Sequence, residues 1–143
     1  MSPKENMRIV RRIYEEVFDR HNLAVIDELY ATDFVYHSPG NPDSDREGLK
    51  QGFAVYLAAF PDVHMTVDDI FAAEDRVAVR FTARGTHRGE YLGVPPTGRQ
   101  VTVTAILIHR LVDGKMMEDW EWSDQLGIMQ QLGIVSLPQS PAV

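Results

Sequence analysis

Residues 100–124 read QVTVTAILIHRLVDGKMMEDWEWSD, and the Asp113-Gly114 pair near the middle decides how the rest is read. Asp-Gly between two alternating, β-rich runs predicts a hairpin with a two-residue turn, because both turn positions require a residue that tolerates positive φ. Val112 then lies opposite Lys115. Counting back pairs His109 with Glu118, Leu107 with Trp120, Ala105 with Trp122 and Val103 with Asp124, and the period of two puts all of them on one face. The opposite face carries Thr102, Thr104, Ile106, Ile108, Arg110, Met117, Asp119, Glu121 and Ser123, a mixture suited to solvent or a partner subunit. A mostly apolar face that also holds a His, two Trp, a Glu and an Asp fits the wall of a pocket.

Upstream of the hairpin, residues 85–98 (GTHRGEYLGVPPTG) form a long Gly- and Pro-rich connection of the kind that more often carries function than packing. Before it, Val77, Val79, Phe81 and Ala83 alternate with Arg80, Thr82 and Arg84. A turn at Glu74-Asp75 joins this strand to an earlier one, in which Val63, Met65 and Val67 alternate with His64, Thr66 and Asp68. The slip at Asp68-Asp69-Ile70 predicts a bulge. Arg46 to Phe60 reads as a helix with Leu49, Phe53, Tyr56, Leu57 and Phe60 on one side, stopped by Pro61. Asp33 to Ser38 is a short strand, ended by Pro39-Gly40, and Asn41 to Asp45 a loop. At the start, Ser2-Pro3-Lys4-Glu5 is a capping box with Pro at the first helical position. Met7, Val10, Tyr14, Val17 and Phe18 give that helix its apolar stripe. His21-Asn22 interrupts it before a short helix bearing Ile26, Leu29 and Tyr30. Beyond the hairpin, Gln125 to Leu132 is a last helix, stopped by Gly133. Helices followed by strands make one α+β domain over residues 1–135, a cone in which a curved, mostly antiparallel sheet wraps over the N-terminal helices. Residues 136–143 (SLPQSPAV) read as a loosely held tail.

The chain has 143 residues, a formal charge of −7 and no cysteine. The negative charge argues against nucleic acid or an anionic membrane as partner. No apolar run approaches a membrane span, and MSPKENMRIVRR lacks the apolar core of a signal peptide, so the expected compartment is the cytoplasm. The absence of Cys removes disulfides, thiolate metal ligands and a Cys nucleophile. His21, His37, His64, His87 and His109 form no close ligand pair, so no metal or other cofactor is expected. The three lysines, Lys4, Lys50 and Lys115, occupy helix and turn positions that favour exposure, which disfavours Schiff-base chemistry.

YHSPG, LKQGFAVYLAAFPDVHMTVDDI, GTHRGEYLGVPPTGRQV and DGKMMEDWEWSDQLGIMQQLG together resemble the SnoaL-like ester and polyketide cyclases of the nuclear-transport-factor-2-like superfamily. The resemblance covers nearly the whole chain, and GTHxGxxLGxPPTG followed by DGKxxExWxxxD is specific in combination. It implies an α+β cone, often dimeric through its sheet, with a deep apolar pocket. It also implies metal-free aldol ring closure of a polyketide ester by an acidic residue on the last strand. The position matching that residue is read as Asp124, with His109 on the neighbouring strand as its helper. The family also holds hydroxylases, isomerases, pericyclases and members without known activity.

Ring closure needs a base for an acidic C–H and a donor for the developing oxyanion. An exposed Asp is a poor base, so this reading requires Asp124 to be buried beside Trp120 and Trp122, which would raise its pKa. Asp124 also stands where Asp is a favoured N-cap. His109 also fits a satisfied core histidine, and the two Trp fit the core. His37, Trp120, Trp122, Tyr56, Phe60, His87 and Glu118 complete the expected substrate-binding set. His37 and His87 also read as turn and loop residues, and Glu118 as the mouth of the sheet. The expected ligand is an apolar, oxygenated, polyketide-like small molecule. The expected assembly is a homodimer through the sheet. A pericyclase or double-bond isomerase, or a non-catalytic binding and assembly module, is the alternative.

Overall fold

The computed structural model describes residues 1–136 and 138, so most of the expected tail lies outside the described residues. Helix α1 (Pro3–Tyr14) starts where the capping box predicts, with the Ser2 hydroxyl accepting from the Glu5 N–H at 3.1 Å. It runs into a single π-helical turn, Glu15–Asp19, and then α2 (Ala24–Leu29). Strand β1 (Tyr30–His37) follows without a break. Helix α3 (Arg46–Ala59) is capped by Asp45, whose carboxylate accepts from the Gly48 N–H at 2.8 Å. The remaining strands are β2 (His64–Ala73), β3 (Arg76–Thr86), β4 (Gln100–Val112) and β5 (Lys115–Ser123), and α4 (Gln125–Gln131) closes the described fold.

The sheet order is β1-β5-β4-β3-β2. Only β1 and β5 run parallel, which the helical crossover through α3 does not govern, because β1 is simply laid against the outer edge of the final hairpin. The sheet stays open, with β1 and β2 as its edges. The core lies between its concave face and the helices: Val10 and Ile13 of α1 and Val17 of the π-turn pack with Val77, Val79, Leu111 and Met116 of the strands. The bulge expected at Asp68 is present, between Val67 and Asp69. Among the described residues no helix is long and apolar enough to cross a membrane.

The hairpin turn forms as its residues require, with φ of 49° at Asp113 and 77° at Gly114, and Val112 does pair with Lys115. The register then departs from the simple count. Leu111 pairs with Met116, but Arg110 pairs with Glu118, so Met117 is an extra residue in β5. One inserted residue turns every following side chain to the other face, since the side-chain period of a strand is two. His109 therefore faces Asp119, Leu107 faces Glu121 and Ala105 faces Ser123. Asp119, Glu121 and Ser123 point inward. Glu118, Trp120 and Trp122 point outward, reversing the faces that an unbulged hairpin gives.

Candidate active site

A cavity of about 260 Å³ opens between α3 and the concave face of the sheet. Its apolar wall comes from Phe18 on the π-turn, Phe53 on α3, and Phe81, Val103 and Ala105 on β3 and β4. Three phenols, Tyr36, Tyr56 and Tyr91, also line it. Glu121 and Ser123, two residues apart on the same face of β5, supply polar groups, with Gln125 at the start of α4. The Gln125 side-chain amide donates to the Ser123 hydroxyl oxygen at 2.9 Å.

Glu121 is the chemical centre of this cavity. Among the described residues nothing donates a hydrogen bond to its carboxylate, and burial pushes its pKa up to about 7. Desolvation disfavours the charged form, and here no partner offsets it. A carboxyl group poised near neutrality, facing a ligand-sized hollow, is the expected signature of an acid/base residue.

Below the cavity floor sits a second cluster. The His109 Nδ1–H donates to Asp119 Oδ1 at 2.6 Å, and the Tyr14 hydroxyl and His109 Nε2 share a hydrogen bond of 2.6 Å. This pattern holds the imidazole between a carboxyl group and a phenol. All three are buried, at 7 % exposure for Tyr14, 1 % for His109 and 2 % for Asp119. Burial raises the Tyr14 pKa well above the ordinary phenol value, and the Asp119 and Glu121 charges add to it. Tyr14 also packs its ring against Phe81 and Phe18, so the cluster underpins two cavity walls.

The expected site residues separate under this geometry. Asp124 is exposed and caps α4, accepting from the Gly127 N–H at 2.9 Å, so the burial required of it is not met. Its position beyond the strand end leaves it nothing to be desolvated by. Asp124→Ala is therefore expected to cost about 1 kcal/mol of stability as a lost cap and to leave turnover unchanged; a loss of turnover with a normal melting curve would return Asp124 to the site. His109 is brought to Asp119 and Tyr14, away from Asp124, and does not line the cavity. Trp120 and Trp122 lie on the outer face of the sheet, and Trp122 is 59 % exposed. The Arg76 guanidinium stacks over Trp120 at 5.0 Å. Phe60 is buried behind Tyr56 and Tyr91, touching both rings without lining the cavity. His87 is fully buried at the base of the long loop, where its Nδ1 accepts from the Thr97 N–H at 3.2 Å. Of the expected set, Tyr56 alone lines the cavity.

His37 and Glu118 meet on the outer face. The His37 ring bridges Asp43 at 2.9 Å and Glu118 at 2.6 Å, and it stacks on Trp120. These contacts hold the 38–45 loop, whose Ser44 reaches the cavity, to the edge of the sheet. The bonds to Glu118 and then Asp43 raise the His37 pKa, and the bond from His37 lowers that of Glu118. The folded state thus holds the His37 proton more tightly. Its stabilisation is complete below the ordinary imidazole value of 6.5 and is lost as pH rises through the higher folded value. The protection of amides in the 38–45 loop, taken relative to their intrinsic exchange rates, should fall across that window, and protection that does not change would mean the bridge does not hold the loop.

An open α+β cone in which, among the described residues, one carboxyl group lines an apolar, phenol-bearing cavity defines a class of small-molecule enzyme scaffold. The chain belongs to the SnoaL-like polyketide cyclase family, whose model matches residues 8–132. Aklanonic acid methyl ester cyclase DnrD of Streptomyces peucetius is 39% identical over 57 residues, covering 40% of this chain and 39% of that protein. Nogalonic acid methyl ester cyclase of Streptomyces nogalater is 39% identical over 49 residues, covering 34% of this chain and 37% of that one. The matched stretch thus spans about two fifths of these curated relatives. Among solved structures, AclR of Streptomyces galilaeus superposes with a TM-score of 0.87 at 32% identity, over 94% of this chain and 100% of that one. IdmH of Streptomyces antibioticus gives 0.76 at 37% identity, over 93% and 99%.

Proposed function

We propose that this chain catalyses a metal-free, aldol-type ring closure of an oxygenated, polyketide-derived ester, with Glu121 as the acid/base. The observation that carries the reading is the Glu121 carboxyl itself, unpartnered, desolvated and held near pKa 7 against a hollow lined by rings. Glu121 takes the proton from a carbon flanked by carbonyls. The electron pair left on that carbon attacks a second carbonyl carbon of the same molecule and forms the new C–C bond. The carbonyl oxygen, now an alkoxide, takes a proton back, so the product is an isomer of the substrate. No redox partner enters this balance. The family and the names of the two relatives support the methyl ester of a polyketide acid, aklanonic or nogalonic acid methyl ester, as the substrate to try. Incubation of the purified chain with such an ester should give a ring-closed product of unchanged mass by chromatography and mass spectrometry; a product of altered mass, or none, overturns the reading. With no cysteine in the chain, a reducing compartment suits it, and we place the reaction in the cytoplasm.

The outer face of the sheet supports pairing of two copies. The strand register sets Trp120, Ile108, Ala78 and Phe71 side by side across it, with Trp122 and Ile106 in the next row. Phe71 is 66 % exposed and Ile106 53 %, a contiguous apolar stripe that a monomer rarely leaves open. Trp122→Glu should convert a dimer to a monomer in sedimentation, and a wild-type chain that sediments as a monomer would dismiss the pairing.

A further inference from the structure

We propose that the Tyr56 and Tyr91 hydroxyls form the oxyanion-binding site of this cavity, a pair of neutral donors waiting for a ligand enolate or alkoxide oxygen. This rests on the aldol reading above and deepens it, because that reaction places negative charge on a carbonyl oxygen that Glu121, itself an acid/base, cannot hold.

The two phenols reach the cavity from independent elements. Tyr56 stands on α3, and Tyr91 on the 87–99 loop, yet their rings meet edge to face at 5.8 Å. Both rest on Phe60, at 5.0 and 5.3 Å between ring centres. The loop is not free to move Tyr91 away. The Arg88 and Gly89 N–H groups both donate to the Ala59 carbonyl, at 2.9 and 3.2 Å, and Tyr91 and Val94 exchange two backbone hydrogen bonds at 3.1 and 2.9 Å. Gly89 makes this docking work, since a Cβ there would stand 2.5 Å from the Ala58 carbonyl oxygen. A pinned loop and a helix end therefore fix the spacing of the two rings before any ligand arrives.

Neither hydroxyl has a hydrogen-bond partner among the described residues, although both rings line the cavity. Both residues are half-buried and neither hydroxyl is sealed inside the protein, so each is free to donate to a ligand in the cavity. Burial raises both pKa values, and Tyr91 adds to the rise at Tyr56, so both keep their protons and remain donors. Fixed neutral donors in a desolvated hollow stabilise a developing oxyanion without reorganising at the moment of reaction.

The test uses 4-nitrophenolate as the oxyanion and nitrobenzene as its counterpart lacking the oxygen, titrated by absorbance against the Glu121→Gln chain, which carries the carboxyl's uncharged form. Tyr56→Phe and Tyr91→Phe, each added to that background, should weaken 4-nitrophenolate by about tenfold and leave nitrobenzene unchanged. Equal weakening of both ligands would reduce the tyrosines to packing, and no weakening, or no binding of 4-nitrophenolate to the parent, would also overturn the proposal. Melting curves check that the Phe variants fold. The outcome is independent of turnover: if Glu121→Gln keeps its rate while the phenolate discrimination holds, the base assignment falls and the oxyanion site stands.

Discussion

Glu121→Gln is expected to lower turnover of the ring-closing reaction by about 10²- to 10⁴-fold, while the substrate still binds. The amide keeps the size and the hydrogen-bonding reach of the side chain and removes only its capacity to accept a proton. The same substitution has a signature in stability that needs no substrate. Folding raises the Glu121 pKa to about 7, so between the ordinary carboxylate range and that value the folded state binds more protons than the unfolded chain. Stability must then fall as pH rises through the window. In Glu121→Gln that component of the slope disappears, and the variant should be the more stable chain at neutral pH. A kinetic profile rising through about pH 7 in the wild type, as the base form accumulates, would tie the two observations to one group. An unchanged rate in Glu121→Gln removes the mechanism.

Asp119→Ala carries the second large effect, this time on the fold. The substitution strips the acceptor from the His109 Nδ1–H in a site where Asp119 and His109 are both nearly inaccessible to water. A buried donor is left without a partner, a cavity opens beside His109, and Tyr14 loses the imidazole orientation that its hydroxyl needs. Together these should cost about 3 kcal/mol, drawn from the penalty for breaking a buried polar pair. For a chain of this length that is a fall in melting temperature of roughly 10 °C. Asp119→Asn keeps an acceptor oxygen and should lose about half as much. A loss under about 1 kcal/mol for Asp119→Ala would show that water enters and satisfies the imidazole. Because Tyr14 packs against Phe18 and Phe81, the variant should also bind cavity ligands more weakly.

Much of the architecture was legible from local chemistry. The Ser2 and Asp45 caps, the Pro61 stop, the bulge at Asp68-Asp69 and the Asp113-Gly114 turn are each set by residues within a few positions of one another, and each stands where its pattern predicts. The family resemblance implied an acid/base on the last strand and was read onto Asp124, which stands just beyond β5 as the cap of α4, whereas the acid that lines the cavity is Glu121. Its identity was not legible. Met116-Met117 breaks the alternation of β5 as Asp68-Asp69 breaks that of β2, and reading it as a second bulge would have turned Glu121 inward and Trp120 and Trp122 outward. Nothing local distinguishes the two faces of that strand, since both carry acids and the tryptophans suit a core better than a surface.

The sequence by itself determined most of the helices and strands, where they turn, and that the chain is an α+β domain, because caps, turns and periodicity are short-range physics; the family came from its motifs. Only the tertiary structure decided which acid lines the cavity without a partner. That choice depends on one extra residue in β5, placed by the need to bury Met116 and Asp119 on the same side of the sheet, and on α3 and the 87–99 loop arriving from elsewhere in the chain to wall off Glu121 from water. Burial is a property of neighbours distant in sequence, and the pKa that makes a carboxyl a useful base follows from burial.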